Sequence, residues 1–328
     1  MQATFTSIAE PVPGPRWREL FRSSWDAYQE WFLKEGEGNR PGFLTCRAAL
    51  REHLPELIPT WERLTDLAGG GDLEARFLSL YRPTPYLSGC SQAVWTRDSR
   101  PLLVRNYDYH PRFFEGTILK SKWNGVETIV QSDCLWGALD GMNAHGLTVS
   151  LAFGGRPEVG DGFGIPLVLR YILETCETCK QAKDVLRRVP SHMSYNVSVL
   201  DATGDWCTAH IAPDRPTQFE ACPVTTNHQK GPHWTQYAQA VSSQARWDLL
   251  NQHVSCPEED RARFVRRFLE PPIFSDEYTA CFGTLYTAVY DPVHRTAEYR
   301  WKHRRWRQSF DAFEEGAMQL NYRPAKAS

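Results

Sequence analysis

Residues 89–108 read GCSQAVWTRDSRPLLVRNYD, and the interpretation of the whole chain starts from this stretch. Two strand-like runs, Ser91–Thr96 and Leu102–Asn106, are joined by turn-forming residues at 97–101. A glycine precedes the cysteine at position 90, and charged residues follow the second apolar run. The pattern predicts two consecutive strands, with a cysteine where the first begins and polar groups where the second ends.

The residues before Gly89 are predicted to be mainly helical. Apolar side chains recur three and four residues apart between Trp17 and about Leu80, which is the spacing of one helix face. We therefore divide the chain into a helical segment, 1–89, and a second region, 90–328. The two are expected to form one globular unit.

The region after position 90 contains blocks of short strands and pairs of helices. Strand-like runs continue to Phe153, and helical patterns follow at Ile165–Glu174 and Cys179–Val189. A doubly wound parallel sheet would need strict alternation of strands and helices, which is absent from 90 to 153. The pattern therefore predicts an α+β fold, with antiparallel sheet layers and helices outside them.

Composition is that of an ordinary globular protein. Of the 328 residues, 41% are hydrophobic and 23% charged, and the formal net charge is −2. Such a charge favours neither nucleic acid nor an anionic membrane, and no apolar run approaches the roughly 20 residues that span a bilayer. Without an apolar leader, the nine cysteines are expected to be free thiols. We expect a soluble, cytoplasmic protein with no nucleic-acid or membrane partner.

Gly89 and Cys90 have the chemistry needed to cut the chain between them. Glycine leaves its carbonyl unshielded, so the Cys90 thiol can attack it and form a thioester, which water hydrolyses to release an N-terminal cysteine. The freed α-amine titrates near pH 8 and can accept the thiol proton without a histidine. In this interpretation Arg105 lowers the thiol pKa and Asp108 orients the α-ammonium. Taken alone, the Arg105–Asp108 motif favours a surface ion pair instead.

Further motifs follow in order: Asp140–Leu147 (DGMNAHGL), Thr225–His228 (TTNH) and Ser242–Arg246 (SSQAR). With Gly89–Ser91 and Arg105–Asp108, they resemble the choloylglycine hydrolase and isopenicillin-N acyltransferase families, which are linear-amide C–N hydrolases with an N-terminal nucleophile (Ntn). This resemblance implies a four-layer αββα sandwich, the Ntn-hydrolase fold, with an N-terminal helical segment. Its acyltransferase branch implies that residues 1–89 are a propeptide that becomes the smaller subunit.

The resemblance also implies a role for each matching residue. The nucleophile is Cys90, with Arg105 and Asp108 in contact with it; Asn227 stabilises the oxyanion, and Arg246 completes the polar network. Tyr107 and Phe153 are expected at the substrate and oxyanion site. Because Ala152 and Phe153 stand where several relatives carry a donating side chain, a backbone N–H near Phe153 is expected as the second donor.

The predicted reaction is hydrolysis or transfer of the acyl group of a small N-acyl amide, through a thioester on Cys90. No metal and no cofactor are expected. The two fragments left by self-cleavage are expected to stay associated, and the sequence leaves a homo-oligomer open. Two alternatives also remain open: an uncut, non-catalytic binding protein, and a conventional cysteine hydrolase with His145 or His228 as its base.

One geometric condition accompanies these roles. Strand alternation places Arg105 and Asp108 on opposite faces, so both can face Cys90 only if the chain bends or bulges near Tyr107.

Two remaining patterns are interpreted as structural. Cys176 and Cys179 form a C-x-x-C pair, but a zinc site needs about four ligands and no second pair accompanies this one. Residues 299–307 interleave basic and aromatic side chains. We interpret them as a strand whose Tyr299 and Trp301 face the core, with a solvated basic edge.

Overall fold

A computed structural model describes residues 1–231, 233–279 and 282–322. The end of the predicted 90–328 region, residues 323–328, lies outside the described residues. Two β-sheets form the centre of the described structure, and helices cover their outer faces.

Helices dominate the N-terminal segment, as the periodicity predicted. They are α1 (Pro15–Phe32), α2 (Phe43–His53), α3 (Ile58–Ala68) and α4 (Asp72–Leu78). Trp17 and Phe21, one turn apart on α1, are both buried. The assignment of the whole 1–89 segment as helical is wrong at its start, where Gln2–Glu10 forms strand β1.

The remaining elements are as follows. The strands are β2 (Gly89–Trp95), β3 (Leu102–Tyr109), β4 (Thr117–Ser121), β5 (Thr128–Asp133), β6 (Gly137–Asn143), β7 (Thr148–Phe153), β8 (Tyr195–Leu200), β9 (Trp206–Ala212), β10 (Arg215–Glu220), β11 (Val224–Thr225), β12 (Gly283–Asp291), β13 (Thr296–Trp301), β14 (Arg304–Ser309) and β15 (Gly316–Asn321). The helices are α5 (Ile165–Thr175), α6 (Cys179–Arg188), α7 (Thr235–Ala240), α8 (Ser243–Ser255) and α9 (Arg261–Arg267).

The strands form one nine-stranded and one six-stranded sheet. The larger has the order β10-β9-β8-β7-β6-β5-β4-β1-β15, and the smaller has the order β11-β2-β3-β12-β13-β14. Neighbouring strands are antiparallel except β1 and β4, which are parallel. Both ends of the described chain therefore meet in the larger sheet, where β1 lies between β4 and β15.

The two sheets pack face to face, with β2 and β3 against β7 and β8. Helices α5 and α6 cover the outer face of the larger sheet, and α8 packs on β2 and β11 of the smaller one. Leu250 and Phe264 join Ala93 and Val104 in an apolar cluster on that outer face. The order helix, sheet, sheet, helix confirms the predicted αββα layers.

The basic and aromatic stretch forms part of the β13–β14 hairpin. Tyr299 and Trp301 are buried, and Arg300 between them points outward, as strand alternation requires. The structural interpretation of this stretch is confirmed.

Candidate active site

Cys90 is the second residue of β2 and is completely buried between the sheets. It lies directly across from Tyr107 in the β2–β3 ladder, and Gly89 lies across from Asp108. Two side chains lie within hydrogen-bonding distance of the sulfur among the described residues: Arg105 donates from Nη2 at 3.4 Å, and Ser88 Oγ lies at 3.8 Å. Sequence reasoning had assigned no role to Ser88.

Arg105 shares a face of the sheet with Cys90 and points towards the larger sheet. Its Nε donates to the Leu151 carbonyl at 3.0 Å, and its Nη1 pairs with Asp140 of β6. The guanidinium also lies over the Tyr107 ring, 4.8 Å from the ring centre. Asp140 therefore compensates the buried charge of Arg105; the sequence showed Asp140 only as part of a motif.

Asp108 lies on the opposite face from Arg105, as simple alternation requires. Its carboxylate accepts from Thr284 Oγ1 at 2.7 Å and from Arg246 Nη1 at 3.4 Å. The expected irregularity exists, but it lies in β12 at Leu285, opposite Tyr107 and Asp108. It leaves the β2–β3 register unbroken. The condition for both residues to face Cys90 is therefore not met within β3, and Arg105 and Asp108 stay on opposite faces of the sheet.

Asn227 and Arg246 hold the backbone of Cys90. Asn227 Oδ1 accepts from the Cys90 N–H at 2.8 Å and from Arg246 Nη2 at 2.9 Å. Arg246 Nη1 donates to the Cys90 carbonyl and to Ser91 Oγ, each at 2.6 Å. Four residues of the quoted motifs thus form one connected group around Cys90: Asp108, Ser91, Asn227 and Arg246.

The loop that carries Asn227 is fixed by neighbouring backbone. The Asn227 N–H donates to Ser243 Oγ at 2.8 Å, at the start of α8. Gly155 has φ +70°, and a Cβ there would lie 2.3 Å from the Asn227 carbonyl oxygen. Glycine at 155 therefore allows this close approach.

Phe153 lies beside Asn227 through its backbone. Its carbonyl accepts from Asn227 Nδ2 at 3.2 Å. The Gly154 N–H donates to Ser194, so the preceding Phe153–Tyr195 pair is a non-hydrogen-bonded one. Both backbone polar groups of Phe153 therefore point away from β8, and its carbonyl meets Asn227.

Burial opposes ionisation of the Cys90 thiol. Desolvation raises the pKa of the Cys90 thiol, Arg105 lowers it, and Asp108 raises it again. Arg105 thus lowers the thiol pKa as expected, but desolvation outweighs its effect and the net direction is upward. Burial also raises the pKa of Asp108, against the opposing effect of Arg246.

Neither histidine considered as a base contacts the Cys90 sulfur among the described residues. His228 Nδ1 lies 2.8 Å from Ser243 Oγ, and burial lowers the pKa of its imidazole. His145 is exposed and lies near Glu177. A conventional cysteine–histidine pair therefore has no support in this geometry.

Cys90 has no solvent-exposed surface. Two surface clefts, of about 330 and 480 Å³, are lined by residues from other parts of the molecule and not by Cys90. The described part of the chain contains no group of three His, Cys, Asp or Glu side chains that could hold a metal ion. None of its helices combines the length and apolar character that crossing a bilayer requires.

Fold and site together define the class of the protein: an αββα sandwich with a buried cysteine at the start of a central strand. The family model described as acyl-coenzyme A:6-aminopenicillanic acid acyl-transferase matches residues 95–306. This is more than half of the chain, and the chain belongs to that family. The matched range includes Arg105, Asp108, Asn227 and Arg246 and begins after Cys90.

Three solved structures are similar to the chain at low identity. Penicillin V acylase from Agrobacterium tumefaciens is 14% identical, with 70% of this chain and 90% of that one covered and a TM-score of 0.48. A mutant of conjugated bile acid hydrolase from Clostridium perfringens is 12% identical, with 73% and 99% covered and a TM-score of 0.47. The Caenorhabditis elegans orthologue of N-acylethanolamine-hydrolyzing acid amidase is 15% identical, with 71% and 100% covered and a TM-score of 0.49. No curated protein matches the chain.

Proposed function

We propose that the chain cuts itself between Gly89 and Cys90 and then hydrolyses or transfers the acyl group of a small N-acyl amide. One observation carries the proposal: the sulfur and the backbone N–H of Cys90 are held by different groups. Arg105 contacts the sulfur, and Asn227 Oδ1 accepts from the N–H. A nucleophile whose own α-amine is its base needs both groups held in this way.

The first reaction is an acyl shift within the chain. The Cys90 sulfur attacks the Gly89 carbonyl carbon, the C–N bond breaks, and the Cys90 nitrogen leaves as an amine that takes up a proton. Water then hydrolyses the thioester, which yields a Gly89 carboxylate and a free thiol. Asp108, directly across from Gly89 in the ladder, is the carboxylate proposed to orient the new α-ammonium.

Turnover follows the same course with an external amide. The α-amine accepts the thiol proton as the sulfur attacks the substrate carbonyl, and Asn227 Nδ2 and the Phe153 N–H stabilise the oxyanion. The proton passes to the leaving amine when the C–N bond breaks. Water or another amine then takes the acyl group from the thioester, and Tyr107 contributes to the substrate wall.

The two fragments are proposed to remain together. Strand β1 belongs to residues 1–89 and lies between β4 and β15 in the larger sheet. Trp17 Nε1 donates to the Leu135 carbonyl at 2.9 Å, and Trp136 Nε1 donates to the Leu78 carbonyl at 3.0 Å. Loss of the smaller fragment would remove an internal strand, so we expect separation only on denaturation.

The mass of the freshly expressed chain tests the proposal. The wild type is expected to give fragments 1–89 and 90–328, and Cys90→Ala is expected to stay whole. Cys46→Ala, at another buried thiol, is the matched control and should be cut like the wild type. Cutting of Cys90→Ala would refute self-cleavage by this thiol.

Activity is tested on the cut protein with a panel of N-acyl amides. Penicillin V, a conjugated bile acid and an N-acylethanolamine are suitable members, being the compounds in the names of the similar structures. Incubation should leave an acyl mass on the fragment that begins with Cys90. The complete burial of Cys90 favours a second candidate, an uncut binding protein; a wild type that stays whole and gains no acyl mass would support it.

A further inference from the structure

The carbonyl of Ser88 occupies a pair of hydrogen-bond donors next to the nucleophile. Tyr237 donates to it from its hydroxyl at 2.6 Å, and Asn227 donates from Nδ2 at 3.2 Å. The hydroxyl of the same Ser88 lies 3.8 Å from the Cys90 sulfur. Two side-chain donors therefore converge on the carbonyl oxygen of the residue whose hydroxyl lies near the Cys90 sulfur.

The Tyr237 hydroxyl is aimed by the packing of its ring. Tyr237 lies on α7 and is 6% exposed. Its ring meets Phe153 edge-on at 5.2 Å between ring centres and lies 5.5 Å from the Trp234 ring. Phe153 is also the residue whose carbonyl accepts from Asn227, so the aromatic contact and the hydrogen bonds fix Tyr237 and Asn227 relative to each other.

We propose that the Tyr237 hydroxyl is an oxyanion donor of the cut enzyme, beside Asn227, after first holding the Ser88 carbonyl in the uncut chain. This inference rests on the proposed function, since residue 88 must withdraw once the chain is cut. Withdrawal removes the carbonyl oxygen that accepts from both side chains, and a substrate carbonyl can then accept from them in its place. The donors thereby select a substrate that places its carbonyl oxygen where the Ser88 oxygen lies.

The effect of Tyr237 is expected mainly on the rate of the chemical step. As the sulfur attacks the carbonyl carbon, the π electrons of the carbonyl move to its oxygen. A hydrogen bond to that negative oxygen is stronger than one to the neutral carbonyl. Tyr237 keeps its proton throughout; when the intermediate collapses, the C–N bond breaks and the leaving amine takes the proton from the α-ammonium.

Tyr237→Phe removes the hydroxyl and keeps the ring that packs on Phe153. Tyr195→Phe is the matched control, because Tyr195 also packs on Phe153 but its hydroxyl points to the Met193 sulfur at 3.6 Å. Both variants are assayed after cutting, per Cys90 site titrated with a thiol-reactive probe. Loss of one oxyanion donor lowers kcat by roughly 10²–10³-fold, so Tyr237→Phe should lose about 10²-fold in kcat with little change in KM. Tyr195→Phe should retain both constants.

The outcomes separate this inference from the proposed function. A wild type that is cut and active, with Tyr237→Phe retaining its kcat, would overturn the role of Tyr237 and leave the proposed function standing. A rise in KM with kcat retained would mean that Tyr237 only positions the substrate. This result would also overturn its role as an oxyanion donor. A wild type that is neither cut nor active would overturn both.

Discussion

Two different polar groups bind the sulfur and the backbone of Cys90, and the difference between these groups shows how the site is built. The sulfur group, Arg105 and Asp140, lies between the two sheets and is completely buried. The backbone group, Asp108, Asn227 and Arg246, includes residues from the loop and helix that follow β11. Separate control of the thiol and the amine is what a self-activating nucleophile requires.

The two groups also differ in how they balance charge. Arg105 and Asp140 form a direct ion pair in which Asp140 also accepts from the Tyr286 hydroxyl at 2.6 Å. In the backbone group, the single Arg246 donates to Asp108, Asn227 and the Cys90 carbonyl. The sulfur group is therefore expected to matter more for stability, and the backbone group more for placing the Gly89–Cys90 bond that we propose is cut.

Of the substitutions that test the difference between the two groups, Arg105→Met should have the largest effect. It leaves Asp140 buried and unpaired, which we expect to cost about 3–5 kcal/mol of unfolding free energy and to stop cutting. Urea unfolding and the intact mass measure the two effects. The double variant Arg105→Met/Asp140→Asn should recover most of the stability but remain uncut; cutting at the wild-type rate in that variant would contradict the role of Arg105.

Gly89→Ala should have a smaller effect, confined to the backbone side. A Cβ at position 89 would lie 3.0 Å from the Asp108 Cβ. Overpacking of this kind costs about 1–3 kcal/mol, so cutting should slow by roughly 10–100-fold, while turnover per cut chain should stay near the wild-type value. The time course of the intact mass measures the slowing.

Gly42→Ala is the control for that substitution, because a Cβ at Gly42 would meet nothing within 4 Å. It should be cut at the wild-type rate. If Gly89→Ala is cut equally fast, the close approach of Gly89 to Asp108 does not determine the reaction.

The smallest effect is expected for Asp133, a buried carboxyl outside both groups, and it concerns the pH dependence of stability. Burial, together with nearby Glu115, raises the pKa of Asp133 to about 7, and Asp133 accepts from the Tyr86 hydroxyl at 3.2 Å. Because the folded state favours the protonated acid, the stability from this group is present below about pH 4 and is lost as the pH rises through about 7. The free energy of unfolding, measured with urea, should therefore fall less between pH 4.5 and pH 7.5 for Asp133→Asn than for the wild type.

Asp291→Asn is the control for the pH experiment. The pKa of Asp291 is lowered to about 2, so its contribution to stability is already complete at pH 4.5. Asp291→Asn should therefore leave the fall in unfolding free energy between pH 4.5 and pH 7.5 unchanged. An unchanged decrease in Asp133→Asn would contradict the assignment of the titration to Asp133.

The sequence was informative where local patterns decide structure. The three- and four-residue spacing beginning at Trp17 predicted α1, and the runs on either side of residues 97–101 predicted β2 and β3. It failed where partners are distant: β1 pairs with β15, more than 300 residues away, so the polar segment Gln2–Glu10 carries no local sign of its place in the sheet. The sequence shows no strand-like run over β6, because Asp140 and Gly141 interrupt its apolar pattern.

The candidate site was predictable only in part for the same reason. Motif order singled out Cys90, Arg105 and Asn227, whose side chains or backbone are in contact in the structure. The partnership of Asp140 with Arg105 depends on how two sheets stack, which no local pattern encodes. Tyr237 follows Asn227 by ten residues, and only the placement of α7 turns its hydroxyl towards Ser88.

The most direct test of the account is whether residue 90 carries a free amine next to its thiol. A nitrile reagent that condenses only with a 1,2-aminothiol can be added to denatured wild-type protein, and the labelled residue located by mass spectrometry. The account predicts one label per chain, on Cys90, and none on the Cys90→Ala variant. An active wild-type protein whose Cys90 takes no label would contradict it.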